Sequence, residues 1–462
     1  MTSKASLCRR FQLKSFDRPV GRILAAFAVH TFLLAPCALA DHYVAQNGQA
    51  PSGTFTTWAT AASNIQDAVN VAYTNSTVWV GAGRFNASTS SVDYAGTNVV
   101  YINRALTLRS SNGVPGNAII DGQGSNRGIA IVYSGSTTNL FVVNGFTISN
   151  CSANVTSALT SARCYGGGIL FLPSSGVTWT GVVQNCVISG NSVGPGSVYD
   201  FGGGIFGGYT SGTRYFLLVT NCTIRGNRNF KGWGGGLYAG ASGGTMVHSC
   251  LFENNSAISG GGCLGNYSTF INCIFQNNAA TGTLSNVGGG GVKGGYNTFT
   301  NCLGFYNTAA YGGGFSWSDN NGPLYFYNCT IVSNRSLYGG GIRMDKAIDQ
   351  LTVFNSIVYS NSTIDFSRGA LFTNNISFSC FRTNGLDGTT LGTGNITSPP
   401  AFVDFAGQDF QLSLQSPCLN TGTNLDWMTN AVDLDGKARI RYGRADMGAY
   451  EHVYNGTIYK MR

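Results

Sequence analysis

Arg343 and Asp345 stand two apart in Ile342-Arg343-Met344-Asp345-Lys346, so on an extended strand both side chains project from one face. A guanidinium beside a carboxylate can hold an acidic sugar or work as an acid–base pair. Lys293, at the equivalent position two glycine runs earlier, would add a second cation. The same residues read equally as a surface ion pair with no chemistry. Eliminative cleavage of an acidic polysaccharide needs calcium-binding carboxylates beside a base, and glycoside hydrolysis needs two facing carboxylates. Between Tyr165 and Asn361 the acids are Asp200, Glu253, Asp319, Asp345 and Asp349, none adjacent in sequence.

A second acidic group, Asp433, Asp435 and Asp446, could hold calcium or could bond turns and pair with Arg439 or Arg444. His42, His248 and His452 lie too far apart for metal-ligand spacing. There is no nucleophile motif and no phosphate loop, so no cofactor is expected beyond that calcium candidate.

The elements that must position these residues repeat. Runs of three or more glycines begin at Gly166, Gly202, Gly234, Gly260, Gly288, Gly312 and Gly339. Between them fall Cys186, Cys222, Cys250, Cys273, Cys302 and Cys329, separated by 36, 28, 23, 29 and 27 residues. A period of that size marks a solenoid or array. In Asn221-Cys222-Thr223-Ile224-Arg225, Cys222 and Ile224 share one strand face, and Cys186, Cys250, Cys273 and Cys329 likewise have an apolar residue two on, Ile188, Phe252, Phe275 and Ile331. Five residues past the cysteines come Asn191, Asn227, Asn255, Asn278, Asn307 and Asn334, and Asn361 follows Ser356 by the same step. If each period is one coil of strands, these amides stack and bond along a ladder. Glycine, 65 of 462 residues, supplies the corners. One helix is expected, from Ile65, Ala68, Val69 and Ala72 behind a Ser63/Gln66 capping box, closing the first coil.

Following the outward position after each glycine run gives Leu170, Phe206, Tyr238, Leu264, Lys293, Ser316 and Arg343. Aromatic faces stack on sugars and basic groups hold acidic chains, which makes Phe206, Tyr238, Lys293 and Arg343 ligand candidates. The aromatics before the runs, Tyr165, Phe201, Trp233, Tyr311 and Tyr338, read either as corner packing or as part of such a groove.

The first 40 residues carry six basic groups and an apolar run from Ile23 ending Ala38-Leu39-Ala40, the pattern of a cleaved secretory signal, with an uncleaved anchor as the alternative. Without them 21 basic residues face 18 acidic ones, a net of +3 against +8 for the whole chain. That balance makes no case for nucleic-acid binding. Eleven of the 13 cysteines remain, an odd number. They read as a column of small buried thiols or as vertical bridges, with Cys151 and Cys164 the best loop pair.

The glycine runs with Phe252-Glu253-Asn254-Asn255 and Phe275-Gln276-Asn277-Asn278 resemble the paired repeats of polymorphic outer membrane proteins, which implies a right-handed parallel β-helix. Leu106-Thr107-Leu108-Arg109-Ser110, Ile119-Ile120-Asp121-Gly122 and Gly145-Phe146-Thr147-Ile148 resemble the opening coils of pectin-lyase-like proteins. Ser416-Pro417-Cys418-Leu419-Asn420-Thr421-Gly422, Asp433-Leu434-Asp435-Gly436 and Asp446-Met447-Gly448-Ala449-Tyr450-Glu451 resemble the choice-of-anchor Q module of secreted bacterial β-helix proteins. The expected architecture is therefore all-β: a signal over 1–40, a single-stranded right-handed parallel β-helix with an N-terminal helical cap over 41–415, and a closing module over 416–462. The expected role is a secreted or cell-surface monomer with no membrane span after signal cleavage. It would bind a polysaccharide or surface glycan along its side without catalysis, the alternative being a lyase or glycoside hydrolase for an acidic polysaccharide.

Overall fold

The computed structural model describes residues 40–454 except 88, 91–96, 136–138, 154–163, 174, 175, 177, 195–199, 209–213, 241–243, 318–321, 346–349, 363, 369–372 and 383–390. The signal expected over 1–40 thus lies almost wholly outside the described residues, as do Asp319, Lys346 and Asp349.

The chain winds as a parallel β-helix. Twelve strands from His42–Val44 to Thr373–Ser377 form a flank sheet, each paired in parallel with the strand one coil away. Eleven strands from Gly83–Phe85 to Cys380–Phe381 form a cysteine sheet, and eleven from Thr89–Ser90 to Phe366–Arg368 a glycine sheet. Twelve stacked strands at about 4.8 Å give a rod of roughly 53 Å. The inward side chains fall on equivalent rungs, Ile224 over Phe252 over Phe275. Phe270, Phe299 and Phe326 stack at 4.9 and 4.8 Å, the strand spacing itself. Like therefore meets like along the axis, and one continuous apolar core results.

The two corners flanking the cysteine sheet explain the repeat. Asn221, Asn272, Asn301, Asn328 and Asn355 turn the chain from the flank sheet with φ between 50° and 52°, a left-handed conformation asparagine tolerates. The cysteine that follows is small enough to face inward at the bend, and its thiol meets a carbonyl of the preceding coil: Cys222 Sγ lies 3.6 Å from Val183 O. All eleven described cysteines are buried and free, Cys151 and Cys164 included, so the thiol column holds and the loop bridge does not form. At the second corner the buried asparagines make the expected ladder. Asn278 Nδ2 donates to Asn307 Oδ1 at 3.0 Å and to Phe252 O at 2.9 Å, and the rungs run unbroken from Asn191 to Asn361. Asp365 ends it by accepting both Asn361 N and Nδ2 through Oδ1, while Arg382 Nε bonds the other oxygen at 3.0 Å.

The glycine runs close against this ladder. Gly202 adopts φ +66°, and a Cβ on Gly204 would lie 2.5 Å from Gly236 O and 3.1 Å from the Asn227 amide. No other residue fits between two coils that close. In the run from Gly288 the left-handed residue is Gly289, so Gly288 is an insertion before the corner.

The helix spans Ile65–Val71, and its cap is Asn64, whose side chain accepts from Asp67 N, one residue past the predicted Ser63. Gln66 instead bonds the backbone of Tyr101, tying the helix to the first coil of the glycine sheet. After the last coil the chain forms an antiparallel hairpin, Phe402–Asp404 with Asp409–Leu412. Residues 416–451 then fold back along the side of the rod over the outer asparagine corner: Asn355 Nδ2 donates to Thr423 O, Asn328 Nδ2 to Asp446 O, and Asn301 Nδ2 to Val432 O.

Candidate functional site

The outward residues after the glycine runs lie in register, Leu170, Phe206, Tyr238, Leu264, Lys293, Ser316 and Arg343 on successive rungs. What covers them differs along the rod. In the N-terminal half the aromatics before the runs lie over the face: Tyr165 stacks on Phe206 at 4.5 Å and Phe201 meets Tyr238 at 4.6 Å. Phe206 is 0% and Tyr238 6% exposed, so these two ligand candidates form a second apolar core instead. The sheet face alone, which predicted them as outward, says nothing about the loop that returns across it.

Midway, Lys293 is 3% exposed and its ammonium bonds Asn286 O. Arg343 lies two rungs on, about 10 Å along the axis. The predicted trio of Arg343, Asp345 and Lys293 therefore does not converge on one reacting centre. Arg343 Nη2 and Asp345 Oδ1 approach to 2.7 Å, the expected ion pair, with 12% and 16% of their side chains exposed. The contact lacks hydrogen-bond geometry and leaves Arg343 Nε and Asp345 Oδ1 without a hydrogen-bond partner among the described residues. The guanidinium carbon sits 4.6 Å from the Tyr311 ring centre and 5.6 Å from that of Tyr338. Those rings stack at 5.0 Å, and Tyr338 is 52% exposed.

A second open pair was not anticipated. Tyr267 and Tyr296 stack at 4.3 Å with 41% and 38% exposure, at the left-handed turns that leave the glycine sheet. They belong to the coils of Leu264 and Lys293, and Tyr311 and Tyr338 to the next two. Four successive coils thus carry accessible tyrosines, first two on the leaving edge of the sheet and then two on the entering edge, with Arg343 packed against the second pair. The only sequence signal was a tyrosine three residues past the outward position in two neighbouring repeats.

The predicted calcium carboxylates are placed otherwise. Asp433 Oδ1 accepts from Asp435 N and Lys437 N and its Oδ2 from Glu451 N, while Asp446 accepts from Asn420 N and His452 N. Asp435 points outward to Gln411 and Lys437. The three therefore do not face one ion, and among the described residues no three metal-ligating side chains cluster. Their centre is Arg439, wholly buried, 3.0 Å from Glu451 Oε1 and donating to the Asp446 and Gly448 carbonyls. Burial raises the pKa values of Asp433 and Asp446 and pushes Glu451 up to about 8. This is a structural knot that folds the C-terminal segment.

Residues 203–381 match the family model for the right-handed β-helix region, and with the parallel stacks they establish that fold. No curated protein matches the chain. Among solved structures, a pectate lyase aligns at 13% identity and TM-score 0.44, covering 90% of this chain and 97% of that one. A rhamnogalacturonan lyase aligns at 11% and 0.33, over 81% and 95%, and a PL6-family alginate lyase at 13% and 0.28, over 78% and 57%.

Proposed function

We propose that this β-helix is a secreted or surface-displayed protein that binds an acidic glycan across the outer face of its glycine sheet. The observation that carries the reading is the two accessible tyrosine stacks on four successive coils, the second of them with the Arg343 guanidinium against its rings. Rings offer apolar faces to sugars, Arg343 offers charge to a uronate, and the 4.3 and 5.0 Å ring spacings hold the platform rigid. A linear chain of about three or four sugar units would span these coils. Asp345 holds the arginine in place rather than taking a proton, and the burial of Lys293 removes it as a base, which weighs against the lyase or hydrolase alternative.

The test is affinity electrophoresis of the purified chain in pectin, alginate and glycosaminoglycan gels, with product analysis by ultraviolet absorbance for unsaturated ends. Retention in at least one acidic gel is expected. Tyr338→Ala and Tyr267→Ala should each weaken it about fivefold, from one stacking contact of about 1 kcal/mol. Retention indifferent to both substitutions refutes the platform, and unsaturated products refute a noncatalytic role.

A further inference from the structure

Serine holds the last two places of the cysteine column. Cys329 N donates to Ser356 Oγ and Ser356 N to Ser379 Oγ, and Ser379 Oγ bonds Val353 O of the preceding coil as Cys329 Sγ bonds Phe299 O. The cysteine of the final strand stands one residue further on. Cys380 is in register with Ile357 and, through it, with Thr330, so it lies on the outer face of the sheet. There it meets the chain that folds back: its Sγ donates to Ser398 O at 3.3 Å, and it shares a buried cluster with Ile357, Met447 and Cys418.

Cys418 is brought to that spot by bonds that involve neither thiol. Ser416 Oγ bonds Pro400 O, two residues past Ser398, and Cys418 N donates to Ser416 Oγ. Cys418 O accepts from Met447 N at 3.0 Å, and Gly448 N bonds Asn355 O on the coil before Cys380. The two thiols lie in hydrogen-bonding contact, both wholly buried. Thiols of the column touch as well, but the ladder holds each about 4.8 Å above the last, beyond the roughly 3.8 Å between Cβ atoms that a disulfide needs. Cys380 and Cys418 belong to segments that no ladder holds apart.

We propose that Cys380 and Cys418 form an oxidation site, joined by a disulfide once the chain leaves the reducing cytosol, which pins the C-terminal segment to the last coil. The dithiol is the form before oxidation. A small disulfide, oxidised glutathione for example, is the oxidant. A thiolate uncovered when the segment lifts attacks it and releases one glutathione thiol; the second cysteine then displaces the other as the segment closes. Two protein thiols become one S–S bond, and the oxidant departs as two thiols carrying the two protons. The site is independent of the tyrosine platform.

Trypsin cuts after Arg368, Arg382 and Lys437, so the two cysteines fall on peptides 369–382 and 383–437, neither with another cysteine. The full chain, purified with reductant, is held overnight in oxidised glutathione, alkylated in guanidinium, digested without reduction and weighed by mass spectrometry. The two peptides should appear joined, lighter than their sum by two hydrogens, and should separate on reduction. The eleven free thiols of the reduced chain should fall by two. Cys418→Ser should leave Cys380 alkylated and its thiol count unchanged by the oxidant, with circular dichroism as the check that it folds. Both peptides recovered alkylated after oxidation, either cysteine joined to one of the column, or glutathione retained on Cys380 or Cys418 of the wild-type chain would overturn the assignment.

Discussion

Asn278→Ala should be among the most damaging single substitutions in the rod. Asn278 Oδ1 accepts from Asn255 N and Asn255 Nδ2, each at 3.0 Å, and Nδ2 donates to Phe252 O and Asn307 Oδ1. Alanine leaves the Asn255 N–H and the Phe252 carbonyl without this partner in a site where Asn278 is 0% exposed. Each buried polar group so orphaned costs about 1–3 kcal/mol, giving about 4 kcal/mol before any cavity cost. Both neighbouring coil interfaces are weakened, because in a solenoid each coil contacts only the next. Asn254, the residue before the ladder partner Asn255, is the internal control: it is exposed with φ +55°, and its alanine variant should lose about 1 kcal/mol of left-handed tolerance. Asn278→Asp should exceed alanine at neutral pH, since it aims a buried charge at two acceptors. Urea unfolding followed by circular dichroism ranks the three. A midpoint shift for Asn278→Ala no larger than that for Asn254→Ala would refute the ladder as a source of stability.

Gly204→Ala should cost about 3 kcal/mol, since its Cβ meets Gly236 O at 2.5 Å, whereas Gly190→Ala, with nothing within 4 Å and φ +62°, should cost about 1; thermal melts of the pair decide whether coil spacing or backbone freedom demands glycine. With all eleven described cysteines buried and free, the native chain should react with Ellman's reagent at none of them and expose all eleven in guanidinium; fast native labelling would contradict the buried column. Glu451, raised to about 8 from 4.5, binds more protons folded than unfolded between those values. Its contribution to stability is therefore full below about pH 4.5 and is lost as pH rises through 8, at up to about 1.4 kcal/mol per unit, with Asp433 and Asp446 acting in the same sense. Glu451→Gln should flatten that slope in chemical denaturation between pH 5 and 8, and an unchanged slope would count against it.

Local rules sufficed where the chain repeats. A cysteine with an apolar residue two on, then an asparagine at five, states a strand, its inward face and its next corner within a few residues, and stacking follows because each coil can bury that face only against its own kind. The asparagine ladder was legible for this reason, and so were the pairing of Arg343 with Asp345 and the register of Lys293 with Arg343. Which outward faces stay open was decided by tertiary structure alone. Phe206 and Tyr238 sit at the same sheet position as Arg343, yet the returning corner seals the first two under Tyr165 and Phe201, while Tyr311 and Tyr338 pack against the third and leave 12% of its side chain exposed. The C-terminal carboxylates show the same limit: their spacing suits calcium, and their use as clasps for backbone N–H groups around Arg439 depends on the fold bringing together residues up to 26 apart. Sequence determined the coil because the coil's interactions are local and repeated; exposure and charge pairing belong to contacts made once, between segments whose meeting no period announces.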